Sequence, residues 1–454
     1  MNVDVLVLGG GLAGLSTAYH LGELGLRSVL VVEAKGSVGG VAGSVRQGKF
    51  TFDYTGHLLH LHDAYGKKLI LDLLAGNVAV HERKAWVYSS RTYTRYPFQA
   101  NVKGLPPDIV AECVAGFLET VHRPRSLPKD PDFLAWSRAT FGDGITKRFM
   151  RPYNEKLWRL PLRKLTTEWQ GRFVPKPSAS EVVYGALADQ NALFGYNATF
   201  RYPVRGGIQA LPDALAERLP QGVVRLESPV TAVDLREKVA EVRGLGQVRY
   251  ERLVNTLPLN RFLDLATPLP DGIKKARAAL RWNTVWNLNL GIDRPAPADK
   301  HWVYYPEKKF PFYRVGYSSN FSPDLAPEGH AAVYVEVARP GGARVDRETL
   351  EAQILRGLRD AQVLRRSDEL SAKVWMPVDV GYVVYDRART PAVDAIFRFL
   401  GPRGVESIGR YGGWKYSFME ETILDGKRCA ERLAGKALAA APDRPDDAPL
   451  GALK

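Results

Sequence analysis

The residues with the plainest chemical meaning are glycines near the start of the chain. Gly9, Gly11 and Gly14 follow the apolar run 3–8 and precede a stretch with an apolar helical face. This spacing predicts a strand, a tight turn and a helix whose first N–H groups can hold a diphosphate. A second apolar run, 28–32, ends at Glu33, where a carboxylate can accept hydrogen bonds from ribose hydroxyls. These elements in this order predict a dinucleotide-binding site.

The nature of the dinucleotide is indicated by a second glycine doublet, Gly39 and Gly40, just beyond Glu33. A nicotinamide-binding domain would normally continue with another strand and helix. The doublet instead resembles the FAD-binding amine oxidase and protoporphyrinogen oxidase superfamily, in which it lets a second backbone segment approach the diphosphate. The resemblance implies FAD, and the predicted cofactor contacts are Gly9, Gly11, Leu12, Ala13, Gly14, Glu33, Gly39, Gly40, Gly56, His57, Val230, Arg410, Gly412 and Ser417.

Composition limits the partners and the compartment. The chain has 454 residues with 63 Lys+Arg against 49 Asp+Glu, a formal net charge of +14 that favours anionic partners such as phosphorylated small molecules. The charges are scattered and no nucleic-acid-binding motif accompanies them, so no nucleic acid is expected. Two cysteines, Cys113 and Cys429, cannot form a disulfide framework and favour a reducing compartment.

Targeting signals are not evident in the sequence. The first predicted strand begins almost at Met1, which leaves no room for a cleavable signal peptide. No long uncharged apolar run could form a transmembrane helix. We therefore expect a cytoplasmic protein without a transmembrane segment.

Three histidines, His57, His60 and His62, raise the question of a metal site. On a strand, His60 and His62 would share one face, and no carboxylate lies at the spacing of a zinc-binding helix. Core or loop histidines are the better interpretation, and no metal is expected. His57 differs because it follows Gly56, so its ring could lie against a flat cofactor.

The order of predicted elements indicates an α/β protein with a discontinuous cofactor domain. We expect an FAD-binding Rossmann-like domain from residues 1–80, 202–272 and 380–437. A helical insertion is expected at 105–200, and an antiparallel β-sheet substrate domain at 81–104 and 273–379. Residues 438–454, rich in Ala, Pro and Asp, are expected to form a flexible tail.

Five stretches point to one family. They are Tyr-Pro-Phe-Gln-Ala-Asn at 96–101, Phe-Met-Arg-Pro-Tyr-Asn-Glu-Lys-Leu-Trp at 149–158, Asn-Ala-Thr-Phe-Arg-Tyr-Pro at 197–203, Phe-Pro-Phe-Tyr-Arg at 310–314 and Gly-Arg-Tyr-Gly-Gly-Trp-Lys-Tyr at 409–416. Together they resemble the UDP-galactopyranose mutase family, closer to its eukaryotic-type branch. The resemblance extends over nearly the whole chain, to about residue 433.

The resemblance assigns roles to individual residues. It places Arg172 and Arg314 on the substrate diphosphate, where guanidinium groups can bind phosphate oxygens bidentately. The tyrosines expected around the diphosphate and sugar are Tyr304, Tyr382 and Tyr416. The expected nucleoside contacts are Tyr96, Phe98, Gln99 and Asn154. Trp302 corresponds to a mobile flap, and His57 and Asn197 to residues beside the flavin and sugar.

The activity implied is an isomerisation that uses a redox cofactor without net redox change. In this family reduced FAD attacks the anomeric carbon through N5 and expels UDP, and the sugar ring recloses through a different hydroxyl before UDP returns. UDP-galactopyranose would become UDP-galactofuranose, a precursor of cell-surface glycans. The resemblance also implies a reductant such as NAD(P)H and leaves a homo-oligomer open.

Two alternatives stay open. One is a mutase that acts on another nucleotide sugar, with the same diphosphate residues but a different sugar pocket. The other is a true oxidoreductase, an FAD-dependent amine oxidase or desaturase, with Trp414 and Tyr416 as walls of an aromatic cage. The arginine pair Arg172 and Arg314 favours a mutase, since an amine substrate gains nothing from two facing cations.

Overall fold

The fold is described from a computed structural model that covers residues 1–190, 194–195 and 198–435. Two sequence predictions, the sugar contact Asn197 and the tail 438–454, lie outside the described residues. The backbone of Arg172 is described in a short 3-10 turn, Gly171–Phe173, but its side chain is not.

Strands run from the first residues of the described chain to its last quarter. In chain order they are β1 Asn2–Leu8, β2 Val29–Val32, β3 Ser44–Gln47, β4 Phe50–Asp53, β5 Ala79–Glu82, β6 Ala85–Ser89, β7 Thr92–Arg95, β8 Thr199–Tyr202, β9 Val224–Arg225, β10 Val230–Asp234, β11 Val239–Val242, β12 Gly246–Asn255, β13 Ala266–Thr267, β14 Trp282–Ile292, β15 Trp302–Tyr304, β16 Arg314–Tyr317, β17 Ala331–Pro340, β18 Leu370–Trp375, β19 Val378–Val383 and β20 Val405–Ser407.

The helices of the described residues follow the same order. They are α1 Leu12–Glu23, α2 Ala64–Leu74, α3 Pro107–His122, α4 Phe133–Ile145, α5 Arg151–Trp158, α6 Ala179–Leu187, α7 Ala210–Ala216, α8 Leu259–Leu265, α9 Asp271–Ala279, α10 Arg347–Asp360, α11 Arg389–Leu400, α12 Gly409–Gly412 and α13 Met419–Leu433. A π-helical turn, Thr146–Met150, joins α4 to α5. None of the helices in the described part of the chain has the length and apolar character that a membrane span needs.

The first sheet carries the dinucleotide pattern. Strand β1 pairs in parallel with β2 and β12, β2 continues to β9, and β20 joins β12, so the centre of the sheet is parallel. Residues 5–8 of β1 are buried because helices cover both faces of such a sheet. Strands β10 and β11 extend one edge as an antiparallel meander. The carboxyl end of β1 therefore meets the start of α1 at the sheet edge where ligands bind in this class of fold.

The second sheet has the order β18-β14-β17-β16-β15-β6-β7, with β19 also paired to β14. All its pairings are antiparallel except that of β15 with β6. Its central strands are buried along almost their whole length. An α/β fold with a second, antiparallel sheet is thus confirmed.

The domain boundaries predicted from the sequence differ in two places from the sheet pairings. The boundary at 380 falls inside β19, which belongs to the second sheet through its pairing with β14. Strand β5 pairs with β8 in a separate two-stranded sheet. Both differences have the same origin, since the pairing partner of a short strand is set by distant residues.

Candidate active site

The two glycine-rich turns form one backbone cradle at the start of α1. The Gly39 N–H donates to the Gly10 carbonyl at 2.9 Å, and Gly11 and Gly39 form a parallel bridge. Gly9 has a φ of 103°, which favours glycine. The residue that precedes α1 provides no side-chain cap, so the first N–H groups of the helix are available to an anion.

The fit of a diphosphate to this cradle can be tested at Gly11 and Gly14. A Cβ on Gly14 would lie 2.0 Å from the Gly9 carbonyl oxygen, so this glycine is needed for close packing of helix on turn. A Cβ on Gly11 would meet no protein atom nearer than 3.9 Å, the Gly39 carbonyl oxygen. The space in front of Gly11 is therefore open for a ligand. The donor set and the open space fit the diphosphate of a dinucleotide.

Glu33 stands at the end of β2, as the sequence predicts. Its carboxylate accepts hydrogen bonds from the Gly10 N–H at 2.8 Å and the Lys35 N–H at 2.9 Å. Both bonds fix the carboxylate beside the cradle, where it also faces the cavity described next. Glu33 is thus placed to receive ribose hydroxyls.

A cavity of about 650 Å³ begins at the cradle and extends to the second sheet and α5. Cavities of this size hold cofactors and drug-sized ligands. The predicted cofactor contacts that line it are Gly9, Gly11, Leu12, Ala13, Glu33, Gly39, Gly40, Gly56, His57, Arg410 and Ser417. The predicted substrate-side residues that line it are Tyr96, Gln99, Asn154, Trp302, Tyr304, Arg314, Tyr382 and Tyr416.

Of the predicted contacts whose side chains are described, four lie outside this lining. Gly14 and Gly412 pack against backbone, since a Cβ on Gly412 would lie 2.6 Å from the Asn255 carbonyl oxygen. Val230 begins β10 and is half-buried away from the cavity wall. Phe98 is fully buried, and its ring stacks on Phe149, which does line the cavity. Phe98 therefore supports the wall and does not form the surface.

Trp302 lies in a strand of the cavity wall. It opens β15, which pairs with β16 on one side and β6 on the other, and its place on a mobile flap stays a prediction from the resemblance. The side chain is 3 % exposed and faces the cavity from within the sheet. The aromatic-rich run around it forms strands because its residues alternate between two buried surfaces.

His57 is held as a neutral imidazole. Burial lowers its pKa to about 3, and the cations Arg410 and Arg314 contribute to the same shift. Its backbone N–H donates to the Thr55 carbonyl at 3.0 Å, while Nδ1 has no hydrogen-bond partner among the described residues. A neutral ring beside Gly56 with a free nitrogen suits contact with a flat heterocycle.

Arg410 supports two tyrosines. Its guanidinium donates to the Ser417 carbonyl at 2.7 Å and lies 4.7 Å from the ring centre of Tyr416 and 5.2 Å from that of Tyr382. The two rings are stacked, with centroids 5.8 Å apart and planes at 18°. Burial raises the pKa of both hydroxyl groups, so they remain hydrogen-bond donors at neutral pH.

Tyr304 belongs to a second aromatic group of the cavity wall. It contacts Tyr96 at 5.1 Å and the edge of Tyr153 at 5.3 Å between ring centroids. Tyr153 also lies edge-on to Tyr313 at 6.3 Å. The cavity is thus walled by tyrosines that carry both apolar rings and hydroxyl groups.

Arg314 is the charged centre of the substrate side. Its guanidinium is fixed by Glu336 on the neighbouring strand, with 2.9 Å from Nε to Oε2 and 2.6 Å from Nη2 to Oε1. Burial works to lower the pKa of Arg314, but Glu336 and nearby tyrosines raise it overall. The fork uses the Nε–H and one N–H of Nη2, so both N–H groups of Nη1 and the second N–H of Nη2 remain for a ligand.

Three unpartnered polar atoms lie in the cavity wall. Among the described residues, Gln99 Oε1, Trp302 Nε1 and the Tyr313 hydroxyl are buried without hydrogen-bond partners. Buried polar groups in native proteins are normally satisfied by protein, water or ligand. All three residues line the cavity, so a polar occupant can satisfy them there.

Sequence reasoning missed two kinds of site residue. Tyr153 and Tyr313 lie within quoted motifs but received no role, because a tyrosine alone is more often core than site. Glu336 was missed although it carries a signal. It is the lone acidic residue of the largely apolar strand β17 and is fully buried. Glu336 therefore had to have a cationic partner.

A metal centre finds no support in the residues described. His57 and His60 both line the cavity, and His62 donates its backbone N–H to Glu420. Within residues 1–190, 194–195 and 198–435, no group of three or more His, Cys, Asp or Glu side chains is arranged to hold a metal ion.

The comparison with protein families decides the cofactor. Residues 12–434 match the model of the flavin containing amine oxidoreductase family. The chain belongs to this family. The FAD predicted from the glycine pattern is therefore confirmed as its cofactor.

Among solved structures, the chain is similar to reduced UDP-galactopyranose mutase. The TM-score is 0.90 at 27 % identity, over 95 % of this chain and 96 % of that chain. This confirms the resemblance found in the sequence motifs, while the eukaryotic-type branch stays a prediction.

Other proteins with this fold are more distant. A putative protoporphyrinogen oxidase from Exiguobacterium sp. 255-15 has a TM-score of 0.72 at 16 % identity, over 95 % of this chain and 98 % of that chain. Putrescine oxidase bound to putrescine has a TM-score of 0.64 at 17 % identity, over 96 % of this chain and 100 % of that chain. At these identities the similarity shows the fold alone.

Proposed function

We propose that this flavoenzyme is a nucleotide-sugar mutase that interconverts pyranose and furanose forms without net redox change. The substrate we expect is UDP-galactopyranose, with UDP-galactofuranose as product. The observation that carries this proposal is Arg314, a largely buried cation that faces the same cavity as the FAD cradle. A cation in that position suits a substrate whose reacting bond leads to a diphosphate.

The side chains divide the work of binding. Arg314 Nη1 binds a diphosphate oxygen, and Glu336 keeps the guanidinium plane fixed while the diphosphate is detached and returned. The hydroxyl groups of Tyr304, Tyr382 and Tyr416 donate to the diphosphate and sugar. Arg172, whose side chain lies outside the described residues, is proposed as the second diphosphate cation.

The nucleoside end of the substrate is assigned to the part of the cavity wall that includes Asn154 of α5. Asn154 and Gln99 are buried and line the cavity beside Tyr96, whose ring can stack on a base. Gln99 donates its amide N–H to the Pro175 carbonyl at 2.8 Å, which orients its unpartnered Oε1. That oxygen is an acceptor for an N–H group of the base.

Reduced FAD, when bound, supplies the nucleophilic nitrogen for the sugar, and the protein contributes no nucleophile of its own. The chain's part is to exclude water and to hold the leaving diphosphate. Neutral His57 contributes no positive charge that would compete with Arg314 for the diphosphate. The half-buried tyrosine rings of the cavity wall limit the access of bulk water to the reacting carbon.

Amine oxidation is the second candidate because the family includes amine oxidoreductases. The cage that the sequence suggested for it, Trp414 with Tyr416, is wrong. Trp414 is 0 % exposed and packs on Trp282 away from the cavity. Tyr416 stacks on Tyr382, and the Arg410 cation already lies over both rings. An amine would meet cations on this side, so the mutase is favoured.

The proposal is tested by incubating the FAD-loaded protein, reduced under anaerobic conditions, with UDP-galactopyranose and separating the products by chromatography. A new peak of furanose isomer supports the mutase. If UDP-galactopyranose gives no isomer but another UDP-hexose or a dTDP-hexose does, the protein is a mutase with a different substrate. Bleaching of oxidised flavin by putrescine in place of isomerisation contradicts the proposal.

Three further assignments rest on the sequence. We propose a nicotinamide dinucleotide such as NAD(P)H as the reductant, a cytoplasmic location and a role in supplying furanose for cell-surface glycans. A homo-oligomer stays open. The three-part domain division is likewise proposed, with the boundary near 380 moved to follow β19.

A further inference from the structure

Lys156 is a buried lysine that the proposed reaction does not use. It lies on α5 between the cavity residues Asn154 and Leu157, and is 8 % exposed. Burial lowers its pKa to about 7, which reflects how costly an ammonium group is at this depth. Buried lysines without a carboxylate contact are rare in folded proteins. The charge therefore has to be explained by the atoms around it.

The Lys156 ammonium donates to three backbone carbonyls of one segment. Its Nζ lies 2.7 Å from the Tyr305 oxygen, 2.6 Å from the Glu307 oxygen and 3.2 Å from the Phe312 oxygen. An ammonium has three N–H donors, so its hydrogen-bonding capacity is filled. Tyr305 and Glu307 lie near the start of the loop 305–313, and Phe312 lies near its end. The Lys156 side chain therefore holds the two ends of the loop close together.

This loop joins the two strands that carry proposed substrate residues. Tyr304 ends β15 just before the loop, and Arg314 opens β16 just after it. The strands are paired at their ends, where Tyr304 lies opposite Arg314, and the Tyr305 N–H donates to the Tyr313 carbonyl at 2.9 Å. A shift of the loop would move both residues together.

Helix α5 contacts the same hairpin at a second point. Tyr153, three residues before Lys156, packs edge-on against Tyr304 at 5.3 Å and Tyr313 at 6.3 Å. Residues three apart on a helix are neighbours. Tyr153 and Lys156 therefore contact the hairpin at two points. Tyr153 packs against its tyrosine rings, and Lys156 donates hydrogen bonds to its backbone carbonyls.

We infer that Lys156 is a positioning residue for the substrate site, which sets Tyr304 and Arg314 by clamping the loop 305–313 onto α5. It touches neither substrate nor cofactor and acts through the three carbonyls. The expected effect of Lys156 on UDP binding rests on the proposed function. The clamping of the loop does not depend on it.

The experiment uses two substitutions of Lys156 in the FAD-loaded full chain. Lys156→Met keeps the length of the side chain and removes the charge. Lys156→Ala leaves a space that opens to a cavity of about 540 Å³, which Lys156 itself lines and which an added alkylammonium can enter. The matched control is Lys147→Met, since Lys147 is an exposed lysine in the turn just before α5.

The first readout is trypsin cleavage after Lys308 and Lys309, two exposed residues within the clamped loop. We expect cleavage there to be about tenfold faster in both Lys156 variants, because the loop has lost a charge-assisted anchor. Lys147→Met should be cut at the wild-type rate. Unchanged cleavage in Lys156→Met overturns the clamp.

The second readout is UDP affinity at unchanged flavin content. We expect the Kd for UDP to rise by about tenfold in Lys156→Met and Lys156→Ala, with kcat/KM falling in step. Propylammonium should restore affinity in Lys156→Ala and leave Lys156→Met unchanged, because only the alanine variant has room for it. Restoration in neither variant overturns the requirement for an ammonium group.

The outcomes separate this inference from the proposed function. If the wild type does not bind UDP, the proposed function fails and the cleavage arm still decides on the clamp. A lower melting temperature with wild-type UDP affinity and cleavage would show Lys156 to be only a core residue, which overturns the inference. Failure of both variants to fold would also overturn a role confined to this hairpin.

Discussion

Arg314 and Glu336 form a two-bond fork across neighbouring strands, with Nε 2.9 Å from Oε2 and Nη2 2.6 Å from Oε1. The Glu336 side chain is fully buried and that of Arg314 is 17 % exposed, on the cavity side. The fork fixes the plane of the guanidinium and balances its charge when no anion is bound. Because Glu336 and a bound diphosphate would both balance the Arg314 charge, we expect protein stability and nucleotide binding to be coupled.

Glu336→Gln should make that coupling visible. The substitution keeps the shape of the side chain but leaves the Arg314 charge unbalanced, which should cost about 3 kcal/mol of unfolding free energy. UDP would then supply the missing negative charge. We expect UDP to raise the melting temperature of Glu336→Gln by more than that of the wild type. An equal increase in both proteins, measured by thermal denaturation with and without UDP, would mean that Arg314 does not face the diphosphate.

Two glycines of the cradle should respond differently to alanine. Gly14→Ala places a Cβ 2.0 Å from the Gly9 carbonyl oxygen and should abolish folding. Gly11→Ala meets no protein atom nearer than 3.9 Å, so the protein should fold but lose FAD, because the Cβ occupies the space of the diphosphate. Flavin absorbance per folded protein, with circular dichroism as the measure of folding, checks both. Full flavin occupancy in Gly11→Ala would contradict the cofactor placement.

Arg172→Ala tests the second proposed cation. The variant should keep its flavin and lose about 100-fold or more in kcat, since a positioned donor to a developing charge contributes that much in other enzymes. Flavin content and turnover measured on the same preparation decide the matter. Loss of flavin, or wild-type turnover, would remove Arg172 from the substrate side.

His301 should make stability depend on pH. It is 3 % exposed, and burial lowers its pKa to about 3, with His81 and Lys84 adding to the effect. Because the unfolded chain binds more protons between about pH 6.5 and about pH 3, stability falls as the pH is lowered through this range. At about pH 5 this histidine alone should cost about 2 kcal/mol relative to about pH 7.

The matched variant for this prediction is His301→Asn. Its amide oxygen can accept the Lys84 N–H that donates to His301 Nδ1 at 3.1 Å, and it does not titrate. Urea unfolding at neutral pH and near pH 5 should show a smaller loss for the variant than for the wild type. Equal losses in the two proteins would assign the acid sensitivity to other groups.

The local pattern of the sequence was enough to predict the cradle. Gly9, Gly11, Gly14 and Glu33 lie within one strand–turn–helix–strand unit, so their relation is set by neighbours along the chain. The α/β fold and FAD followed from that unit and were confirmed. Most predicted substrate residues also line the cavity, although their roles come from resemblance to known mutases.

What the sequence could not supply were relations across the fold. The fork of Glu336 with Arg314 depends on strand register, and the reach of Lys156 to the loop 305–313 depends on how α5 packs on the second sheet. Trp302 lies in the antiparallel sheet that the sequence predicted, but its flanking strands β16 and β6 could not be predicted, because an aromatic residue does not show which strands will pair beside it. Phe98 was expected at the surface of the cavity, but packing on Phe149 places it one layer deeper.

The central claim is a rearrangement with no net redox change, and it is tested most directly by counting turnovers per reducing equivalent. The FAD-loaded protein is reduced anaerobically with one equivalent of dithionite, excess UDP-galactopyranose is added, and furanose is measured against the remaining reduced flavin. The account predicts many furanose molecules per flavin, with the flavin still reduced at the end and no product from the oxidised enzyme. Product limited to one molecule per flavin, or formed equally by the oxidised enzyme, would contradict it.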